Sequence, residues 1–231
     1  MRPIIDSSIN DVDRKVIEDL GKNCDILHYE YENGRICTLV IRCSEDIDIS
    51  PIGMLRELRI LRIFDTPISD ISFLSAVEKI ISLDLRLTRV ENIEPIKNLK
   101  ILKELDISHT RVVDIAPIAN LNQLEILNMN ALNIQTIEPI TNNKNLRILS
   151  IAFCYGVRRI DSIENMKNLE HLDISHTNIS DISPIIDLAE TYGNIRTINL
   201  TDTNIPNEQI RKLINIGVNI IKEESEYGLR L

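Results

Sequence analysis

One frame of apolar residues recurs along the chain and decides what it can fold into: Leu102-x-x-Leu105-x-Ile107-x-x-Thr110-x-Val112-x-x-Ile115-x-x-Ile118-x-x-Leu121. Copies begin at Ile36, Leu58, Ile80, Leu102, Leu124, Leu146, Leu169 and Ile195, giving steps of 22, 22, 22, 22, 22, 23 and 26 residues. The eight copies reach from Ile36 to about Ile205, most of the 231 residues. A period of this size marks a stacked architecture in which each unit contacts only its neighbours.

Each copy follows the same physical logic. In the L-x-x-L-x-L segment, Leu105 and Ile107 point inward while Glu104, Asp106 and Ser108 face out, which predicts a short strand with one buried side. The remaining apolar residues fall about three apart, so the chain must turn and return within one layer. Proline recurs at one frame position as Pro51, Pro95, Pro117, Pro139 and Pro184. Its fixed φ and missing amide N–H suit a return arc and would damage a central strand. One copy cannot bury its apolar edge alone. Stacked copies can, with a parallel sheet down one face.

The phrases Leu172-Asp-Ile-Ser-His-Thr-Asn-Ile-Ser-Asp-Ile-Ser-Pro-Ile185 and Leu105-Asp-Ile-Ser-His-Thr-Arg-Val-Val-Asp-Ile-Ala-Pro-Ile118 make the pattern resemble the leucine-rich repeat, within it the 22-residue internalin-like class. The resemblance covers all eight copies. It implies a curved α/β leucine-rich-repeat solenoid: a parallel β-sheet on the concave face, short 3-10 or irregular arcs on the convex face, and helical caps at both ends. It also implies partner binding on the exposed sheet, as in bacterial relatives that engage host receptors and eukaryotic subunits that hold a phosphatase. Where the family has Asn at the strand exit, this chain has Thr66, Thr88, Thr110, Thr177 and Thr203, whose hydroxyls can still satisfy a backbone group. Ser44, Leu132 and Cys154 depart from that pattern, and the ladder is expected to loosen near Leu132 and Cys154.

The flanks predict covers for the open ends. Ile9, Val12, Val16, Ile17 and Leu20 fall at helical spacing between Ser7/Ser8 and Gly21, and Asn33-Gly34 is a hairpin-turn signal. Residues 1–35 are therefore expected to form a cap of helix plus strand, and 36–205 the eight repeats. Residues 206–222 read as a second cap: a helix from Pro206 with Ile210, Leu213 and Ile214 on one face, stopped at Gly217, then an edge strand Val218–Ile221. Residues 223–231 read as a polar tail. Both ends look covered, which predicts a complete, soluble domain.

Composition narrows the function classes. Aliphatics dominate, with 43 Ile and 26 Leu against eight aromatics and no Trp. Net charge is −9, which makes nucleic acid or an anionic membrane a poor partner. Seven Gly supply no phosphate loop, no apolar run reaches spanning length, and no cofactor is implied. Cys24, Cys37, Cys43 and Cys154 lack CxxC spacing, and the first residues lack an apolar secretory segment. They are read as reduced thiols in a cytoplasmic protein, the alternative being a secreted chain whose signal has been removed.

Candidate binding residues lie on the outward columns. Arg42, Arg62 and Arg86 surround Phe64, a combination enriched at interfaces, although Arg62 beside Asp84 and Phe64 beneath arginines also reads as internal pairing. Ile126 and Ile148 are expected as exposed neighbours with Phe153 and Tyr155 close by, a contact patch unless Phe153 tucks into the extra turn around Gly156. Asp84, Glu104, Asp106 and Asp173 with His109, His171 and His176 would serve a metal-dependent hydrolase. However, His109 and His176 stand three copies apart, about 14 Å at strand spacing. The reading is a non-enzymatic, monomeric module that binds a protein partner, without catalytic or metal residues. A self-assembling subunit joined through Val218–Ile221 is the remaining alternative.

Overall fold

The computed structural model describes residues 6–222. Helix α1 (Asp11–Leu20) precedes strands β1 (Cys24–Glu32), β2 (Arg35–Cys43), β3 (Ile60–Ile63), β4 (Ser82–Asp84), β5 (Glu104–Asp106), β6 (Ile126–Asn128), β7 (Ile148–Ser150) and β8 (His171–Asp173). Helix α2 (Ser183–Tyr192), β9 (Thr197–Asn199), helix α3 (Asn207–Asn215) and β10 (Asn219–Ile221) follow. The strands form one open sheet in sequence order, antiparallel between β1 and β2 and parallel thereafter. Register advances by one repeat per strand: Leu61 faces Leu83, Leu83 faces Leu105, and Leu105 faces Leu127.

The frame residues make the core. Leu102, Leu105, Ile107, Val112, Ile118 and Leu121 are all buried, and their equivalents stack above and below them in one continuous apolar column. Opposite the sheet, the chain returns through short 3-10 arcs at Ser50–Met54, Ser72–Ala76, Glu94–Asn98, Ala116–Asn120, Glu138–Ile140 and Asp161–Asn165. Pro51, Pro95, Pro117 and Pro139 occupy the first turn of their arcs, where a missing N–H costs nothing. Just before several arcs a short polar side chain accepts the amide two residues on: Asp48 from Ser50, Asp70 from Ser72, Asn92 from Glu94 and Asp114 from Ala116. The 26-residue step is absorbed by α2, which replaces an arc and ends at Gly193 with φ 65°.

The strand exits follow the hydroxyl logic. Thr88, Thr110, Thr177 and Thr203 each donate to the carbonyl three residues back, at 2.6–2.7 Å. The expected loosening near Leu132 and Cys154 does not occur. Ala131 N–H still donates to Ala152 O and Phe153 N–H to Ser175 O, while Cys154 Sγ reaches Met129 O at 3.1 Å. Burial pushes the Cys154 thiol up to about 11, so it stays protonated there.

At the first end, α1 is started by Asn10, whose side chain accepts from Val12 and Asp13, and it buries Val16, Ile17 and Leu20. Val12 instead faces water. The cap strand β1 joins the first-repeat strand β2 in the hairpin that the Asn33-Gly34 signal predicts, and Asp13 is buried against Ile36 N–H and Arg35. The reading of four reduced thiols is overturned. Cys24 and Cys43 are opposite each other across the hairpin and form a disulfide, leaving Cys37 and Cys154 free. At the other end, Ile210 and Leu213 of α3 are buried but Ile214 is exposed, contrary to expectation, because the helix turns that side outward. The polar tail lies outside the described residues.

Candidate functional site

The strands' outward columns carry the first candidate surface. Arg62 faces Asp84 across β3 and β4. Arg86 Nε lies 3.3 Å from Asp84 Oδ2, and its guanidinium sits 5.4 Å above the ring of Phe64. Arg42 pairs with Asp25 of the hairpin at 3.7 Å. Of the four sequence-chosen residues the structure joins Arg86 with Phe64, while Arg42 and Arg86 are engaged in internal pairs of the kind exposed sites make cheaply. Burial raises the Asp84 carboxyl above its ordinary range, opposed by the Arg86 amide and charge, with neighbouring Asp106 adding to the rise.

The Asp and Asn residues of the central column have a structural task. Asp84, Asp106, Asp173 and Asn199 each accept the amide of the residue two further on, closing the strand exit. In the intervening copies Asn130 takes over, accepting from Ser150 and Ala152. No three His, Cys, Asp or Glu side chains among the described residues converge on a point that would hold a metal. His109 and His176 lie outside the strands, in the turns that leave them.

Ile126 and Ile148 are register partners, as expected, but half-buried rather than exposed. Phe153 is not on the strand face. It occupies a left-handed turn position (φ 61°) beyond β7, stacks on His176 with ring centroids 4.1 Å apart, and meets Tyr155 edge-on at 6.4 Å. Phe153 is 40% exposed, so it does not tuck into the extra turn. That turn is made by Gly156, where a Cβ would meet Ile134 O at 2.3 Å. Beside it lies a groove of about 420 Å³ lined by His109, Ala131, Leu132, Phe153 and Tyr155.

This exit edge is what sequence reasoning missed. From the second copy to the eighth, the residue before the exit position adopts the left-handed region: Asp65, Leu87, His109, Ala131, Phe153, His176 and Asp202. None of the exposed large apolar side chains lies on β3–β9; Leu87, Val113, Phe153 and Tyr155 lie along the exit side instead. The signal was present as a frame position holding Leu, Ala and Phe where a turn would favour Asn or Gly.

The comparisons with known proteins agree with this geometry. A family model described as Leucine Rich repeats (2 copies) matches residues 144–187. Internalin C2 of Listeria monocytogenes is similar in structure with a TM-score of 0.72 and 28% identity, over 81% of each chain. The Listeria monocytogenes internalin InlF also gives 0.72, at 22% identity over 84% of this chain and 64% of its own. The Leptospira interrogans leucine-rich-repeat protein LIC12759 gives 0.64 at 20% identity, over 74% of this chain and 44% of its own. No curated protein matches in sequence. No helix of the described residues is long and apolar enough to cross a membrane. The periodic frame, the one-repeat register and these likenesses agree: the chain is an internalin-like leucine-rich-repeat protein.

Proposed function

We propose that the chain is a non-enzymatic interaction module that binds a protein partner across the outward face of its parallel strands. The observation that carries this reading is the open sheet itself: ten strands in sequence order among the described residues, and no helix of those residues lying across the middle strands. Leucine-rich-repeat folds commonly mediate protein–protein contacts, and a rigid preformed array loses little conformational entropy on docking. Arg42, Arg62, Phe64 and Arg86 form one proposed anchor group, and Ile126 with Ile148 a second, with Phe153 and Tyr155 at the rim. The module acts as a monomer. The three-residue edge strand β10 offers little backbone for a second copy to pair with.

The Cys24–Cys43 disulfide favours an oxidising, extracytoplasmic setting over the cytoplasmic one, which rested on reduced thiols. The test is a pull-down from cells or fluid of the native environment, with mass spectrometry. Wild type is compared with Arg62→Glu/Arg86→Glu and Ile126→Asp/Ile148→Asp, each checked for fold by circular dichroism. A protein captured by wild type and lost with either folded variant supports strand-face binding. One retained by both variants removes it.

A further inference from the structure

The exit edge between the third and sixth repeats carries apolar surface that neither the core nor the backbone explains. A left-handed residue with a bulky side chain costs about 1–2 kcal/mol, and Asn would occupy the same turn cheaply. Yet Leu87 and Phe153 hold that conformation while 50% and 40% exposed, and Tyr155, edge-on to Phe153, is 60% exposed. Burial returns little at these exposures. A groove lined by His109, Ala131, Leu132, Phe153 and Tyr155 runs between them.

Arginines supply the charge in the row of side chains beside this groove, while the carboxylates Glu91 and Asp202 are paired with Arg111 and His176. Two positions after the left-handed residue, successive copies place Pro67, Arg89, Arg111, Asn133, Tyr155 and Asn178, a row without a carboxylate. Arg89 has no ion pair among the described residues. Arg111 meets Glu91 at 3.4 Å with both side chains well exposed, a pair that contributes little. Asp65 stands one copy beyond Leu87 and ends the cationic stretch. In a chain of net charge −9, two available guanidinium groups in line with an aromatic groove are complementary to carboxylates in line with an apolar side chain.

We propose that this exit edge is a second binding site, adjoining the strand face at Phe153 and Tyr155 but independent of Ile126 and Ile148, for an extended acidic–aromatic peptide segment of a partner protein. The aromatic or branched apolar side chain enters the groove against Phe153 and Tyr155, and the carboxylates reach Arg111 and Arg89. Repeats stack at about 4.8 Å and an extended peptide rises about 3.3 Å per residue. Arg111 and Arg89 lie two and three copies from Tyr155, so the carboxylates fall about three and four residues from the apolar side chain.

The test is selection of random nine-residue peptides displayed on phage against the full chain, followed by titration of the enriched peptide as a synthetic fluorescent probe. The expected consensus has Asp or Glu three or four residues from an aromatic or branched apolar residue. Phe153→Asn, which suits the left-handed turn and so leaves the fold intact, is expected to weaken binding at least tenfold. Arg89→Glu/Arg111→Glu is expected to do the same and to flatten its salt dependence. Ile126→Asp/Ile148→Asp, which tests the strand face, leaves this peptide's binding unchanged. No enrichment, a consensus without the acidic residues, or wild-type affinity in the edge variants overturns the proposal. Loss only with the strand-face variant also overturns it, and returns the peptide to the strand face.

Discussion

Cys24 and Cys43 are bonded across the open end of the β1–β2 hairpin, their Cα atoms 4.3 Å apart, so the first and last residues of a 19-residue separation are fixed to one another. Closing a loop of this size restricts the unfolded chain by about 3 kcal/mol in the loop-entropy picture. The double variant Cys24→Ser/Cys43→Ser is therefore expected to lose about 3 kcal/mol in urea unfolding. Thiol titration of the denatured, unreduced protein is expected to find two thiols, from Cys37 and Cys154, and four after reduction. Four before reduction would mean an open pair, and the extracytoplasmic reading would lose its support.

Asp84 is nearly buried on the strand face, and its carboxyl is raised chiefly by burial. A carboxyl whose folded pKa exceeds its unfolded one binds its proton more readily when folded. Stability is then fullest below the unfolded value near 3.8 and falls as pH rises through the folded value. Asp84→Asn removes that loss while keeping an oxygen to accept the Arg86 amide, as Asn199 already does for Thr201 at 3.1 Å. The variant is expected to melt higher than wild type at pH 7, with the gain shrinking towards pH 3. A variant that melts lower at pH 7 would show that the ion pair with Arg86 outweighs burial.

The stack was legible in the sequence because its cause is periodic. Leu105 and its equivalents had to share one buried column, and Pro117 and its equivalents had to lie off the sheet. The 26-residue step announced an irregular copy, though not that α2 would fill it. What escaped was set by single-residue geometry. Phe153 is expected beside Ile148 on the contact patch or tucked into the turn at Gly156, but the left-handed turn moves it to the edge and onto His176. The partnership of Cys24 with Cys43 depended on hairpin register, which the turn signal at Asn33-Gly34 implied without naming the pairs. The acidic column is read as non-catalytic from the sequence, but that Asp84, Asp106 and Asp173 each close their own turn is visible only in the structure.

On the side where the chain enters the strands, Lys103, Glu125, Arg147, Glu170 and Arg196 alternate in sign from copy to copy. Lys103 meets Glu125 at 2.7 Å, and Glu170 takes Arg147 at 2.6 Å and Arg196 at 3.4 Å. Hydrogen bonds from Lys103 and Arg147 lower the Glu125 and Glu170 carboxyls respectively. Their stabilisation is present above the ordinary glutamate range and is lost as pH falls through the lowered folded values. Arg147→Glu sets three carboxylates in a row and is expected to lower the melting temperature at low salt. The difference should narrow in about 1 M salt, where screening acts within about 3 Å. A deficit independent of salt would assign the effect to packing instead.

Asn143 occupies the core position held by Leu99, Leu121 and Met166 in neighbouring copies and is fully buried. Its amide donates to Leu121 O at 2.8 Å and Ile118 O at 3.4 Å, while its own Oδ1 finds no partner among the described residues. Both of those carbonyls already accept a backbone amide, Ile118 O from Leu121 and Leu121 O from Leu124. Replacing the side chain therefore orphans nothing, whereas keeping it leaves a buried acceptor unpaired, at a cost of about 1–3 kcal/mol. Asn143→Leu restores the frame and is expected to raise unfolding stability by about 1–3 kcal/mol, while Asn143→Ala, which leaves a cavity, gains less or loses. Both are read from chemical denaturation at one pH. If Leu proves destabilising while Ala does not, the site is too small for the leucine, and the asparagine is there for its shape.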